Sequence, residues 1–354
     1  MNIAKQIRSI TKEDAILSFE KLKELNCNVN PGLNNAGIKA LDYIFLKHRI
    51  KAKTKSGISF YDAIRNKKLS KNLLKYVKRW KHKTIMKKNM VNLKYDVFQL
   101  IYGSVNQFRP TIAKWLYCLL GAKKGILDIS AGWGGRCLAA ISLGIPYIGI
   151  DANTNLKKSY EQMIKMYACA DADAGAGAGA GAGTNHTNNG SKVKMIFSPA
   201  EKVDFSKFDY DLIFTSPPYF TLEKYENMPA YGSKKEFLDV FFIPVILSAW
   251  RYLKVGGKMA LNMPEEMFEA IRDYLPKLSK KIYMKLKSRD AGDKVQRGGG
   301  DDDSDVVGGS DVMEGGLERG EYIFVWTKTA RAARAATNKT KKVITNKANR
   351  TRKN

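Results

Sequence analysis

Two short stretches hold residue types able to grip a ligand and act on it. In Thr215-Ser-Pro-Pro-Tyr-Phe220 two hydroxyl residues, two prolines and two aromatic rings follow one another. Consecutive prolines stop strand or helix and hold the neighbouring carbonyls rigidly outward. An exposed carbonyl there and the hydroxyl of Ser216 can then accept hydrogen bonds from an exocyclic amine, and the ring of Tyr219 can stack on a planar base. The second stretch, Asp128-Ile-Ser-Ala-Gly-Trp-Gly-Gly-Arg136, is a glycine-rich turn running into the helical segment Cys137 to Leu143. Glycines let the backbone approach a ligand closely, and a helix N-terminus aims free N–H groups at it. The spacing is not G-x-G-x-x-G, so a dinucleotide is not implied. Asp151 follows one helix later, an acid placed to accept hydrogen bonds from ribose hydroxyls. Alone, the glycine turn reads as a tight strand-to-helix connection. With Asp151 and the Ser-Pro-Pro-Tyr segment it reads as a site for an adenosine-containing cofactor beside an amine-bearing base.

These residues need a sheet to position them. Gly125–Ser130, Tyr147–Asp151, Val193–Phe197, Tyr210–Thr215 and Gly257–Asn262 are brief apolar runs followed by turn chemistry, with helical segments between most of them. That rhythm predicts βαβ units and a parallel sheet covered on both faces. Lys280–Leu286 and Glu321–Thr327 come last and predict an antiparallel hairpin at the end of the sheet. Ahead of the sheet, Ile16, Leu17, Phe19, Leu22 and Leu25, then Leu41, Ile44, Phe45 and His48, recur at helical spacing. Residues 170–190 and 291–320 are rich in Ala, Gly and Asp and poor in large apolar side chains, so both are expected to be flexible inserts.

DISAGWGGR followed by TSPPY resembles the first and fourth motifs of S-adenosylmethionine-dependent amino-methyltransferases, which methylate cytosine N4 or adenine N6 in DNA. Asn106-Gln-Phe-Arg-Pro-Thr-Ile-Ala-Lys-Trp-Leu-Tyr117 is similar to that family's tenth motif. The resemblance covers about residues 95–270 and the last strand. It implies a doubly wound, mainly parallel seven-stranded sheet (α/β, class I, Rossmann-like), closed by the antiparallel hairpin and preceded by a basic helical region. It further implies that Phe108, Arg109 and Pro110 seat the methionine end of the cofactor, that Asp128, Ser130, Gly132 and Gly134 frame it at the first strand, that Asp151 holds the ribose, and that Glu201 lies near the adenine. The catalytic set it implies is Ser216, Pro217, Pro218 and Tyr219. Ser216 stands where adenine enzymes usually have Asp or Asn, which favours cytosine N4, while the motif order, tenth then first then fourth, is more familiar among adenine enzymes. No metal is called for, because the leaving group is a neutral thioether.

The chain's formal charge is +27, from 61 Lys and Arg against 34 Asp and Glu. Residues 1–100 contribute 23 basic and 7 acidic side chains, and residues 328–354 contribute 10 basic and none acidic, leaving the middle nearly neutral. Cationic flanks on a neutral body suit a polyanion, nucleic acid by default. Within residues 51–90, fourteen Lys and Arg are interleaved with Phe60, Tyr61, Tyr76 and Trp80, a composition that fits a phosphate backbone with exposed bases. The domain reading is a basic helical region at 1–94 for nucleic-acid docking, a methyltransferase domain at 95–328, and a disordered basic tail at 329–354. The expected partner is DNA, its target base flipped out or single-stranded. An RNA base methyltransferase and a non-catalytic nucleic-acid-binding protein on the same fold are the alternatives. Cys27, Cys118, Cys137 and Cys169 show no C-x-x-C spacing, which suggests neither a zinc site nor a disulfide framework and a reducing compartment. No secretory leader or membrane span is read, so the expectation is a soluble intracellular protein, with cytoplasm and nucleus not distinguished.

Overall fold

The computed structural model describes residues 3–79, 88–168, 192–219, 231–285 and 320–332. The insert expected at 170–190, almost all of that at 291–320, the tail beyond Ala332, and Trp80, Cys169 and Phe220 lie outside them.

The chain opens with helices α1 (Ile3–Ile7), α2 (Lys12–Glu24), α3 (Ile38–Arg49), α4 (Phe60–Arg65), α5 (Lys67–Arg79) and α6 (Met90–Ile101), then α7 (Pro110–Leu120). Their starts follow local chemistry. Thr11 accepts the Asp14 N–H while Asp14 reaches back to the Thr11 N–H, a reciprocal cap on α2. Pro110, which has no N–H to lose, occupies the first turn of α7. Strand β1 (Ile126–Asp128) leads through α8 (Gly135–Ser142) to β2 (Tyr147–Asp151), then through α9 (Lys157–Tyr167) to β3 (Val193–Phe197) and on to β4 (Leu212–Thr215). A continuous helical stretch follows: α10 (Lys234–Glu236), a π-helical segment at Phe237–Phe242 and α11 (Ile243–Tyr252). It ends at β5 (Lys258–Asn262), followed by α12 (Glu265–Arg272), β6 (Lys280–Lys285) and β7 (Gly320–Thr327).

The strands form one seven-stranded sheet in the order β3-β2-β1-β4-β5-β7-β6. β1 to β5 pair in parallel, and β7 lies antiparallel between β5 and β6. This is the doubly wound fold expected, with the terminal hairpin in place. Its strand order reverses between β1 and β4, the switch point at whose carboxyl edge open α/β sheets bind ligands.

Alternation along the strands divides the core in two. Ile126, Tyr147, Leu212, Phe214 and Ala260 pack with α2, α3, α7, α8 and α9, whereas Leu127, Ile148, Ile213, Met259 and Leu261 pack with α11 and α12. Each fully buried large apolar side chain is worth about 1.5–3 kcal/mol relative to exposure. A third cluster joins Ile7, Leu46, Phe60, Leu73, Val77 and Phe98 from α1, the end of α3, α4, α5 and α6. A division at residue 94 therefore falls inside α6, and α2 and α3 share the core of the sheet. Phe60, read as one of the aromatics among the cations, is buried edge-on against Tyr95 and Phe98, with centroids 4.9 and 5.4 Å away.

Several cations serve the fold itself. Lys328, counted with the basic tail, is buried and donates to the carbonyls of Trp250, Arg251 and Leu253 at 2.9, 2.7 and 2.6 Å, closing the end of α11. Lys114 closes α2 through Leu22 O and Lys23 O at 2.6 and 2.7 Å, and Lys258 reaches Leu120 O of α7 at 2.8 Å. A cation at a helix C-terminus satisfies orphan carbonyls and meets the negative end of the dipole.

The cysteines correct the expectation. Cys27, just beyond α2, and Cys118 of α7 form a disulfide across 91 residues of sequence, and Cys137 is buried and free. Local spacing cannot reveal a pair that meets only when α2 packs on α7. With Cys27 and Cys118 bonded, the cysteines give no sign of a reducing compartment. Among the described residues no helix is long and apolar enough to cross a membrane.

Candidate active site

Asp128, the last residue of β1, has no exposed surface. A buried carboxylate needs partners, and this one accepts from Arg136 Nε at 2.6 Å and Nη2 at 3.3 Å, the Tyr147 hydroxyl at 2.6 Å, the Thr215 hydroxyl at 2.9 Å and the Ser130 N–H at 3.2 Å. Asp128 thus ties the β1 turn to α8, β2 and β4 from beneath. Burial works against the Arg136 charge, and the adjoining Asp128 more than offsets it, so the guanidinium is held above its ordinary range. Burial pushes the hydroxyl of Tyr147 well up, as does the nearby Asp128 charge. Arg136 also donates to the Ser130 carbonyl and lies 5.5 Å from the centre of the Phe108 ring.

Above this floor the turn is shaped by glycine. Gly134 has φ of +76°, and a Cβ there would sit 2.7 Å from the Phe45 ring. At Gly135 a Cβ would lie 2.0 Å from the Phe108 carbonyl oxygen, so only glycine lets that strap cross the start of α8. The N–H of Gly132 donates to Asp151 Oδ2 at 2.7 Å, and the Asn153 N–H donates to Oδ1 at 2.8 Å. Burial raises the Asp151 carboxyl, and these two N–H groups restrain it to about 6.

Ser130 bridges to the fourth strand. Its hydroxyl lies 2.7 Å from Thr215 Oγ1 and 2.8 Å from the Ser216 carbonyl oxygen. Beyond Thr215, Pro217 is buried while Ser216, Pro218 and Tyr219 are half-buried. The Tyr219 hydroxyl donates to the Asn262 carbonyl at 2.9 Å and lies 3.1 Å from Ser216 Oγ. A phenol has one proton. With that proton on Asn262, Ser216 is the donor to Tyr219, and both lone pairs of its own oxygen stay available as acceptors. The Pro217 carbonyl receives no hydrogen bond from the described residues.

The structure brings Ser130, Gly132, Gly134, Asp151 and Ser216 to Tyr219 together at the carboxyl edge around the β1–β4 switch point, with Asp128 directly below. Of Phe108, Arg109 and Pro110, Phe108 reaches the turn. Arg109 instead donates to the Gly32 carbonyl at 2.8 Å, and Pro110 packs on Gly37, where a Cβ would be 3.2 Å away. Glu201 is exposed in a 3-10 turn (Ala200–Lys202) beyond β3. Burial raises the hydroxyl of Tyr231, and the charges of Glu201 and Glu236 add to it.

Sequence reasoning missed Arg136, Tyr147, Thr215 and Asn262. Arg136 and Asn262 did leave a signal: an acid in a buried strand demands a buried cation, and Asn262 is the polar end of the apolar run Lys-Met-Ala-Leu-Asn. The side-chain amide of Asn262 donates to Glu321 and to the Tyr322 carbonyl, both at 3.2 Å, which ties the end of β5 to β7 beside the carbonyl that Tyr219 uses. Among the described residues no three His, Cys, Asp or Glu side chains gather as a metal would require.

No protein-family model matches this chain, and no curated protein does. Among solved structures it is similar to precorrin 8w decarboxylase of Methanobacterium thermoautotrophicum, at 14% identity over 64% of this chain and 93% of that one, with a TM-score of 0.34. An rRNA methylase from Streptococcus thermophilus matches at 11% identity over 64% and 100%, with a TM-score of 0.34. The 1,6-didemethyltoxoflavin N1-methyltransferase of Burkholderia thailandensis, solved with S-adenosylhomocysteine, matches at 11% identity over 61% and 76%, with a TM-score of 0.33.

Proposed function

We propose that this chain is an S-adenosylmethionine-dependent methyltransferase acting on the exocyclic amine of a DNA base, cytosine N4 ahead of adenine N6. The observation that carries the reading is the pairing, across one switch point, of a ribose-type acceptor at Asp151 with an amine-type acceptor at Ser216, the two held in register through Gly132 and Ser130.

The residues present fit the cofactor. A carboxylate offers about four lone-pair sites, and Asp151 uses two on Gly132 and Asn153, leaving two for vicinal ribose hydroxyls. A Cβ built on Gly132 would meet nothing nearer than the Ser130 carbonyl at 3.8 Å, so that side of the turn is open to a ligand. Glu201, exposed in the turn that follows the carboxyl end of β3, is the residue assigned to the adenine side. When bound, the cofactor supplies a sulfonium methyl that leaves a neutral thioether behind. Ser216 Oγ, its proton turned onto Tyr219, accepts one hydrogen of the target amine, and the Pro217 carbonyl accepts the other. Holding both hydrogens in the plane of the two acceptors raises lone-pair density on nitrogen and aims it at the methyl; as the N–C bond forms the S–C bond breaks, and the surplus amine proton is released to water. The Tyr219 ring stacks on the base. Such a base must leave a duplex stack or come from a single strand, and the cationic N-terminal region is the element that holds the backbone meanwhile.

The test is tritiated-methyl transfer to DNA and to RNA by the wild type and by the Ser216→Ala, Pro217→Ala double variant. The wild type is expected to label DNA and the double variant to bind DNA without labelling it. Labelling of RNA alone would refute the DNA assignment, and equal labelling by both proteins would refute the roles of Ser216 and Pro217.

A further inference from the structure

Between Lys51 and Arg79 the chain carries ten Lys and Arg and the single acid Asp62. Asp62 belongs to the cap of α4, where its carboxylate accepts the Ser59 hydroxyl at 2.6 Å. None of the ten cations forms an ion pair with a described residue. Lysines elsewhere do pair: Lys39 with Asp14 at 3.1 Å, Lys88 with Asp96 at 2.5 Å, and both Lys235 with Asp239 and Lys281 with Glu265 at 2.6 Å.

On α5, Lys68, Lys71, Lys75 and Lys78 recur at intervals of three, four and three, all exposed, while Leu73 and Val77 bury the opposite face in the third cluster. This row works against the helix that bears it. Like charges three and four apart repel, and α5 has no acid in its first turn to meet the positive end of its dipole. Packing on α6 holds the helix despite the charge, so the row is not there for the helix's own stability.

We propose that the exposed face of α5 is a docking surface for the sugar-phosphate backbone of duplex DNA. At 1.5 Å per residue the four lysines span about 15 Å, and one DNA strand presents a phosphate about every 3.4 Å of axis, so the row matches about four phosphates. α6, on which α5 packs, runs directly into the 102–109 strap, whose Phe108 carbonyl abuts Gly135. A backbone held on α5 is therefore referred through packed elements to the turn at the switch point. The inference rests on the reading of DNA as substrate, though not on any methyl being transferred.

The experiment measures equilibrium binding of the full chain to a duplex DNA across a salt series, without cofactor, for the wild type, for the K68Q/K71Q/K75Q/K78Q variant, and for a control with the same charge change at exposed Lys12, Lys21, Lys165 and Lys277. Gln keeps helix propensity, and matched thermal melts check folding. The α5 variant is expected to lose about 3–4 from the slope of log affinity against log salt, and about a hundredfold or more in affinity at 0.1 M salt, with the control changing the slope by about 1 or less. Equal changes in both variants would overturn the proposal, as would an α5 slope within about 1 of wild type. A loss confined to duplex RNA or to anionic vesicles would overturn the choice of DNA. Methyl transfer by the wild type to a short single-stranded oligonucleotide, scored separately, tests the methyltransferase reading, so each reading fails on its own measurement.

Discussion

Ser216 works through a proton count. Because the Tyr219 hydroxyl gives its proton to Asn262, Ser216 donates to Tyr219, and in the proposed role the lone pairs of its oxygen accept from the target amine. Ser216→Ala removes that acceptor and leaves the Pro-Pro backbone in place. The turnover number is expected to fall about 10- to 100-fold, the worth of one hydrogen bond to a group gaining charge, with cofactor affinity unchanged in calorimetry. Asp151 carries a pH dependence of two opposite signs. Its carboxyl titrates near 6 in the fold against an ordinary value near 3.8, so the folded protein binds the proton more tightly than the unfolded chain. The contribution of Asp151 to the stability of the cofactor-free protein is then fully present below about 4 and is lost as pH rises through about 6. With the proposed ribose contact, cofactor affinity is expected to run the other way, because ribose hydroxyls donate best to the ionised carboxylate, and to strengthen as pH rises through 6. Asp151→Asn should flatten both profiles, read by melts and by titration calorimetry from pH 4.5 to 8. Unchanged profiles in that variant would locate the titrating group elsewhere.

At the scale of elements, helix ends are closed by lysines contributed from distant sequence. Lys328 follows β7 yet caps α11 with three carbonyl contacts. Lys328→Met keeps the buried stem and strands those carbonyls, at a cost of about 2–4 kcal/mol for polar groups left unsatisfied, visible as a lower midpoint in denaturant. The strands themselves were legible, since short apolar runs such as Tyr147–Asp151 and Val193–Phe197 end at turn residues and match β2 and β3 residue for residue. Others came out shorter. The first strand stops at Asp128 because that side chain turns to Arg136 and Tyr147, and the fourth begins at Leu212 because Asp211 accepts N–H groups from Lys123, Lys124 and Gly125. Lys328 as a cap and Arg109 as a partner of Gly32 were not legible, because a cation's partner across tens of residues leaves no trace in local pattern.

For the whole molecule, the N-terminal helices and the sheet are bound as one body. α2 and α3 bury Phe19, Leu22, Leu41 and Phe45 against α7 to α9, and the Cys27–Cys118 disulfide crosses the same junction. Replacing both cysteines with serine is expected to lower unfolding free energy by about 2–4 kcal/mol, and adding reductant to the wild type should reproduce most of that loss. The charge of +27 divides accordingly: some cations, such as Lys114 and Lys328, are buried as helix caps, while the α5 row is left facing outward. The central claim, methyl transfer to a DNA base amine, is tested most directly by nucleoside mass spectrometry of DNA incubated with the protein and deuteriomethyl-labelled S-adenosylmethionine. The account predicts labelled N4-methylcytosine, or N6-methyladenine as its second choice, released from the DNA. Wild-type protein that leaves every DNA nucleoside unlabelled, while labelling RNA or nothing at all, would contradict it.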